Sequence, residues 1–559
     1  MGFLFLAYLY EYYMQKTIDT ASQSLFITTF KRKAVLVTVT ITVCVILVLT
    51  FYDILMPDLG WDALMYHLFI PASWIQNGSI YVPEASPYGN LKYWMYYPSN
   101  AELMYAFLLL LTGDDIIVEL NQLLHAIFIS LTIYAFLRNF GVKRSFAIFS
   151  FPIVFSIPVV FLQSITSYND LIFSAYLLYS FYILYNAVKE PNKKAYYVLL
   201  GISLGLFLGI KYTSPGFTII ILLITLITGR PLSKKYLLIS SLIGILLGGY
   251  WYFRNAFLTG NPFYPYSLHL GNVEILRGPI NPSRYRWLFE YKVKPLHWIL
   301  LPLLEQRYAH DYAGFGPLIV YSFPFYCQII FHVKKLMKID KYFTLFFLMI
   351  PLYNMLIWIM QPFKFTRFLI PALCVVAVSP LIATSHKLML YNGRDKNLEV
   401  LFLSLIVTIA LLTNTSYLIY KTHPVEFNFA VNYLLGEHGI PSKYSILELG
   451  GYGEEGKAWA YVGRTIRNST IAYTNTNLPY YLFGEKLTNK VIYVDPQGDV
   501  DLYIKKLREN HVDYIFIVKR KGDAWPNERN FILENMEMFE LRYVNNVVEL
   551  YSFKGDLSI

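Results

Sequence analysis

A chain of 559 residues that is 56% hydrophobic, 18% aromatic and only 15% charged lies outside the composition of soluble globular domains. Its net charge of +10 is spread over short loops between apolar runs and forms no continuous basic face, which excludes nucleic acid as a partner and makes the charge a topology signal. The three cysteines, Cys44, Cys327 and Cys374, all fall inside apolar stretches, which excludes a disulfide framework and a thiolate metal site.

The N-terminal stretch FLFLAYLY has no basic residue before it and no small-residue cleavage site, so the first span, after Lys31-Arg32-Lys33, reads as an uncleaved anchor. About eleven apolar runs follow one another as candidate transmembrane helices, beginning near residues 35, 116, 146, 170, 195, 215, 236, 316, 342, 366 and 397. Alternate loops between them carry Arg138/Lys143/Arg144, Lys189/Lys193/Lys194, Arg230/Lys234/Lys235, Lys334/Lys335/Lys338/Lys341 and Lys387/Arg394/Lys396, and the positive-inside rule makes these cytoplasmic. Residues 1–34 are then a cytoplasmic segment, and the long connections at 57–115 and 254–315 lie outside. From residue 421 the composition changes, with charges spread throughout and short β-like runs in YSILELG, NKVIYVD, VDYIFIV and VVELYSF. DLYIKKLRENHVDYIFIV reads as an amphipathic helix leading into a buried strand, and NNVVELYSF as a hairpin arm after an Asn-Asn turn. GGYG at 450–453 reads as a turn. The expected fold is an all-α polytopic membrane domain over 35–420, with a small extracytoplasmic α/β domain over 421–559.

Ionisable residues at the rim of a membrane domain are expensive to place, and here they gather at the outer ends of several spans. The first group is Pro57-Asp58-Leu59-Gly60-Trp61-Asp62-Ala63-Leu64-Met65-Tyr66-His67. If the segment is helical from Asp58, then Asp58, Asp62 and Tyr66 share a face with His67 beside it. Asp58 and Asp62 are the catalytic candidates, with helix capping as the alternative for one of them. Asp170, in QSITSYNDL, either caps the helix that follows or joins the site. The third group is cationic: Lys211 in GIKYTSP, Arg254 with Asn255 in WYFRNAFLTGNPFYP, and Lys364 with Arg367 in QPFKFTRFLIP; snorkelling accounts for part of it.

Taken in order, DLGWDALMYHLFIPASWIQNGSIY, PSNAELMYAFLLLLTGDD, QSITSYNDL, GLFLGIKYTSP, WYFRNAFLTGNPFYP and FTRFLIP resemble the GT-C superfamily of membrane glycosyltransferases, which includes protein O-mannosyltransferases and aminoarabinose transferases. The resemblance covers nearly the whole chain. It implies a polyprenyl-phosphate sugar donor, an acceptor that is lipid, glycan or protein, inversion at the anomeric centre, and a first-loop aspartate at the reaction centre of a multi-pass protein of the cell membrane. The closest match for that aspartate is Asp62, then Asp58; Asp170 matches a second acidic position that in some members helps hold a divalent cation, Mg or Mn. Tyr66, His67, Asp170, Lys211, Arg254, Asn255, Lys364 and Arg367 are the expected substrate-binding residues. The sequence departs from members that carry an adjacent acidic pair, since Ala63 follows Asp62.

The chemistry suits these residue types. One carboxylate takes the proton of the acceptor hydroxyl, and cations at a partly dehydrated rim stabilise the leaving phosphate. Two rival readings are a transporter or flippase for lipid-linked sugars, which would place charges near the midplane within internal repeats, and a membrane ligase or polymerase of another fold without first-loop aspartates. A third is a catalytically inactive relative acting as a scaffold.

Overall fold

The structure is a computed structural model that describes residues 20–115, 117–228, 232–271, 273–281, 315–360, 365–386, 396–418, 443–449, 452–496, 498–519 and 525–555. Six of its helical segments are long and apolar enough to cross a membrane: Lys33–Leu55, Leu120–Asn139, Asp170–Lys189, Lys341–Ile359, Thr366–Ser385 and Glu399–Tyr417. Two further pairs qualify if each bent pair is one span. Lys234–Gly248 with Tyr250–Thr259 bends by 55°, at a Gly-Gly step, and Gly316–Phe331 with Val333–Ile339 bends by 75°. Leu36, Val43, Leu47 and Phe51 on the first span and Leu242 and Leu246 on the first bent pair are exposed, as side chains that face hydrocarbon are. The protein is a multi-pass membrane protein.

All eleven apolar runs fall on helices, yet those near 146, 195 and 215 form helices of only 10–17 residues. The first is cut at Ser156-Ile157-Pro158, where proline opens a new helix, Pro158–Gln163. The others are α1 (Lys194–Leu208) and α2 (Ser214–Thr228), parted by a break at Gly209 through Thr213 that holds Lys211.

α1 packs closely on α3 (Lys234–Gly248) through glycines four residues apart on each helix. A β-carbon at Gly205 would stand 2.8 Å from Leu247 Cβ and 3.0 Å from Gly244 Cα, and one at Gly201 would stand 2.6 Å from the Ser240 carbonyl oxygen. Small residues let backbones approach where no hydrophobic effect drives helices together. Gly205→Leu is expected to destabilise the detergent-solubilised protein by about 1–3 kcal/mol, read from its thermal unfolding midpoint, because neither backbone can retreat without opening the interface.

The tail carries a five-stranded mixed sheet. Its strands are β1 (Thr470–Thr474), β2 (Lys490–Tyr493), β3 (Tyr514–Val518), β4 (Phe539–Val544) and β5 (Val548–Phe553), in spatial order β2-β1-β3-β5-β4. β1 runs parallel to both β2 and β3, while β5 is antiparallel to β3 and β4. Central β3 is covered on both faces and so reads YIFIV without alternation. The helix Val500–Glu509, capped by the Asp499 carboxylate at 3.1 Å from Leu502 N–H, leads into it. At the Asn-Asn turn, Asn545 Oδ1 accepts from the N–H groups of Val547 (3.0 Å) and Val548 (2.8 Å), which sets up the hairpin.

One expectation is corrected here. YSILELG contributes the helix Lys443–Glu448, not a strand, with Tyr444, Ile446 and Leu447 buried; a short apolar run does not tell the two apart. The first two glycines of GGYG, residues 450 and 451, lie outside the described residues.

In the tail Thr476 Oγ1 donates to Glu455 Oε1 at 2.9 Å, and burial pushes the Glu455 carboxyl from 4.5 up to about 7. The folded protein thus holds that proton more tightly than the unfolded chain. Stability is expected to fall as pH rises from about 4.5 to about 7 and to level off above, since protons bind N more than U only inside that window. Glu455→Gln should flatten this segment of a plot of unfolding midpoint against pH.

Candidate functional site

The segment that leaves the first span is anchored before it turns. Asp58 is buried, and its carboxylate accepts from Gly60 N–H at 2.7 Å and Ser167 N–H at 2.6 Å, which clamps the loop after the first span to the loop ahead of Asp170. Burial pushes the Asp58 carboxyl up, against the two backbone donors that favour its charge. Gly60 is needed for this approach: a β-carbon there would sit 2.6 Å from Tyr168 Cε1 and 2.9 Å from Asp58 Oδ1. Asp58 is therefore placed as a backbone clamp, with both carboxylate oxygens engaged.

Asp62 stands where this segment enters a π-helical turn, Ala63–His67, closed by the Leu68 N–H bond to the Ala63 carbonyl at 2.9 Å. Its Oδ2 accepts from Arg367 Nη2 at 2.6 Å and from the Tyr66 hydroxyl at 3.3 Å, while Oδ1 makes no hydrogen bond among the described residues. Burial, and then the neighbouring Asp62 carboxylate, push the Tyr66 phenol well above its ordinary value, so it acts as a donor. The Asp62 side chain is 21% exposed.

Arg367 comes from the 3₁₀ turn Thr366–Leu369, which opens the span Thr366–Ser385, and is 4% exposed. Its Nη1 donates to Asp170 Oδ2 at 3.2 Å, so one guanidinium bridges two carboxylates that are 108 residues apart in sequence. The other Asp170 oxygen accepts from Lys211 Nζ. Tyr168 completes the group, its ring 4.5 Å beneath the Arg367 guanidinium and its hydroxyl 3.3 Å from the Asp62 N–H. Phe173 and Phe368 flank the Lys211 ammonium at 5.7 and 5.1 Å.

Lys211 is held in place by the ends of its helices. Asn100 Nδ2 donates to the carbonyls of Leu206 (3.1 Å) and Leu247 (3.1 Å), its Oδ1 accepts from Trp251 Nε1 (2.8 Å), and its N–H bonds the Gly209 carbonyl at 2.8 Å. A side chain at position 209 would collide with that amide.

Asp62, Tyr66, Asp170, Lys211 and Arg367 are thus brought together, and His67 adjoins them with its ring centroid 4.1 Å from that of Tyr66. Arg254 and Asn255 form a neighbouring group instead. Arg254 Nη2 (2.9 Å) and Asn255 Nδ2 (2.7 Å) both donate to the Tyr96 carbonyl, and Asn255 Nδ2 also reaches the Tyr212 hydroxyl at 2.7 Å. Arg254 pairs with no carboxylate among the described residues. Tyr97 links the two groups, its ring 6.2 Å from Tyr66 and 5.5 Å from Tyr212. Lys364 lies outside the described residues.

Asp170, expected to help hold a divalent cation, has its two oxygens engaged by Lys211 and Arg367 in this structure. Among the described residues no group of three or more His, Cys, Asp or Glu stands close enough to hold a metal ion.

Sequence reasoning passed over Tyr168, Glu102 and the residues that seat the tail on the helices before it. Tyr481 donates to the Asp58 carbonyl at 2.8 Å, and Lys443 pairs with Asp115 at 2.9 Å and Glu119 at 3.8 Å. The available signal for Glu102 was an acid inside an apolar helical run.

Residues 98–251 match the family model described as dolichyl-phosphate-mannose-protein mannosyltransferase. Among solved structures, ArnT from Cupriavidus metallidurans in the apo state is 13% identical with a TM-score of 0.51, and ArnT bound to undecaprenyl phosphate is 13% identical with a TM-score of 0.52. Both alignments cover 92% of this chain and 97% of ArnT. The Archaeoglobus fulgidus oligosaccharyltransferase in its apo form is 13% identical, with a TM-score of 0.48 over 87% of this chain and 69% of its own. No curated protein sequence matches the chain. The architecture that carries Asp62, Asp170, Lys211 and Arg367 is the fold of the GT-C superfamily of membrane glycosyltransferases, which the ordered motifs of the sequence resemble.

Proposed function

We propose that the protein transfers a sugar from a polyprenyl-phosphate donor to an acceptor hydroxyl on the extracytoplasmic side of the cell membrane, with inversion, and that Asp62 is the general base. The observation that carries this reading is the Arg367 guanidinium shared between Asp62 and Asp170, with Lys211 beside it, at the ends of apolar helices. It supplies in one place an acceptor for the hydroxyl proton and two cations for the leaving phosphate. Asp62 Oδ1 is the oxygen left to receive the proton. The donor phosphate and Asp62 compete for the Arg367 donors, so donor binding draws Arg367 toward the phosphate and frees the carboxylate for the acceptor. Arg254, with Asn255, lies along the tyrosine band that continues the site and serves the phosphate or sugar of the donor.

The reading agrees with two relatives. The matched family is named for transfer from dolichyl-phosphate-mannose to protein, and ArnT has been solved with undecaprenyl phosphate bound. The alternation of basic loops along the sequence supports a site and tail on the outer side, reached over about eleven crossings of which three would be made by short helices.

The test is an assay of the purified protein with a panel of radiolabelled polyprenyl-phosphate sugars and a membrane extract as acceptor. Transfer of label to an extract component, with release of polyprenyl phosphate, is the expected result. Donor binding without transfer to any fraction would instead favour a lipid-linked-sugar transporter or a scaffold.

A further inference from the structure

The helix Asn100–Thr112 carries one acid in its first turn, Glu102. An acid there ordinarily faces water and complements the helix dipole. Glu102 is instead 2% exposed, and its Oε1 lies 2.5 Å from Nδ1 of His67, which is wholly buried. The second polar atom of each, Glu102 Oε2 and His67 Nε2, is buried without a hydrogen-bond partner among the described residues. Leaving such atoms unpaired costs about 1–3 kcal/mol each, more than a pair kept for stability alone returns.

His67 ends the π-helical turn that begins beside Asp62. Such a turn is an unfavourable backbone arrangement that persists where outside contacts hold it; the bond between Glu102 and His67 is one such contact, and Asn477 Nδ2 at Met65 Sδ (3.8 Å) is another. The His67 ring packs on the ring of Tyr66, whose hydroxyl reaches Asp62 Oδ2. The contacts therefore run from Glu102 to His67, to Tyr66, to Asp62. A carboxylate can only accept, so the bond also fixes a proton on His67 Nδ1 and sets the ring orientation.

We propose that Glu102 is a positioning residue of the transfer reaction, acting through His67 to hold the turn that presents Tyr66 and Asp62 to substrate; the inference rests on the glycosyltransferase reading of that site. Its role is orientation by a hydrogen bond. Glu102→Gln, which keeps an acceptor oxygen, should stay within about threefold of the native kcat, while Glu102→Ala should lose tenfold or more in kcat with the donor KM little changed. His67→Asn, whose amide nitrogen falls near the Nδ1 position, should retain more activity than His67→Gln. Equal loss in Glu102→Gln and Glu102→Ala, or native kcat in Glu102→Ala, overturns the proposal. So does a loss that vanishes when rates are normalised to folded protein from thermal unfolding.

A second arm needs no turnover. In protein labelled with ¹⁵N-histidine, the ring signals lost in His67→Gln identify His67, and they should show a proton on Nδ1 that is lost or redistributed in Glu102→Ala. An unprotonated Nδ1 in the native chain, or signals indifferent to Glu102→Ala, sinks the pairing whatever the assay shows. A native chain that transfers no sugar while Nδ1 is protonated and Glu102-dependent refutes the glycosyltransferase reading, and with it any role of the pair in transfer, while leaving the pair itself established.

Discussion

Asp62→Asn is expected to abolish sugar transfer, with a fall of at least about 100-fold in initial rate, while donor binding and the thermal midpoint stay close to native. The amide keeps an oxygen for Arg367 Nη2 and for the Tyr66 hydroxyl, which now sit 2.6 and 3.3 Å from Asp62 Oδ2, so the local packing survives. What it cannot do is accept a proton. Initial rates with a labelled polyprenyl-phosphate sugar, beside equilibrium donor binding, separate the two effects. A variant within threefold of native removes Asp62 as the base. Asp58→Asn should behave in the opposite way, since both Asp58 oxygens serve backbone N–H groups: a lower unfolding midpoint, with the smaller effect on the rate of the folded protein.

Arg367 should be still less replaceable. Its Nη2 holds Asp62 and its Nη1 holds Asp170, so a single planar cation fixes the relation between two segments. Lysine offers one nitrogen where two are needed. Arg367→Lys is expected to lose transfer by more than tenfold through misplacement of Asp62. Arg367→Met leaves Lys211 as the one cation beside two carboxylates, and should destabilise the protein by about 3–5 kcal/mol, the magnitude for breaking a buried pair by removing one partner. Combining Arg367→Met with Asp62→Asn should recover part of that loss, because the second change removes the charge stranded by the first. Unfolding midpoints of the two single variants and the double variant give the coupling. Additive losses would show that Arg367 and Asp62 do not depend on each other.

Much of this protein was legible along the chain. Apolar runs are imposed residue by residue, because lipid leaves the backbone no partner but itself, and the eleven runs all fall on helical segments, six to eight of them long enough to span a bilayer among the described residues. The amphipathic helix Val500–Glu509, the buried strand YIFIV and the Asn-Asn hairpin were equally readable, each being set by local pattern and turn chemistry. Asp62, Tyr66, Asp170, Lys211 and Arg367 were all nameable as candidates, since charge at a membrane rim is rare enough to stand out.

Pairing, by contrast, belonged to the tertiary structure. Asp58 and Asp62 have the same side chain four residues apart, and only the arrival of Ser167 N–H at one and Arg367 at the other divides them into a clamp and a candidate base. The π-helical turn, the shortening of three apolar helices at proline and glycine breaks, and YSILELG as a helix rather than a strand likewise depend on what packs against each segment. Asp170 had the residue type for a metal ligand or a helix cap, and its two oxygens pair with cations supplied by residues 41 and 197 positions further along the chain, which spacing does not reveal. Sequence by itself determined which residues carry charge and where the chain meets lipid, because those follow from local transfer free energies. Which charges meet was decided only by folding, because long-range contacts, not spacing, bring the ends of separate helices to one place.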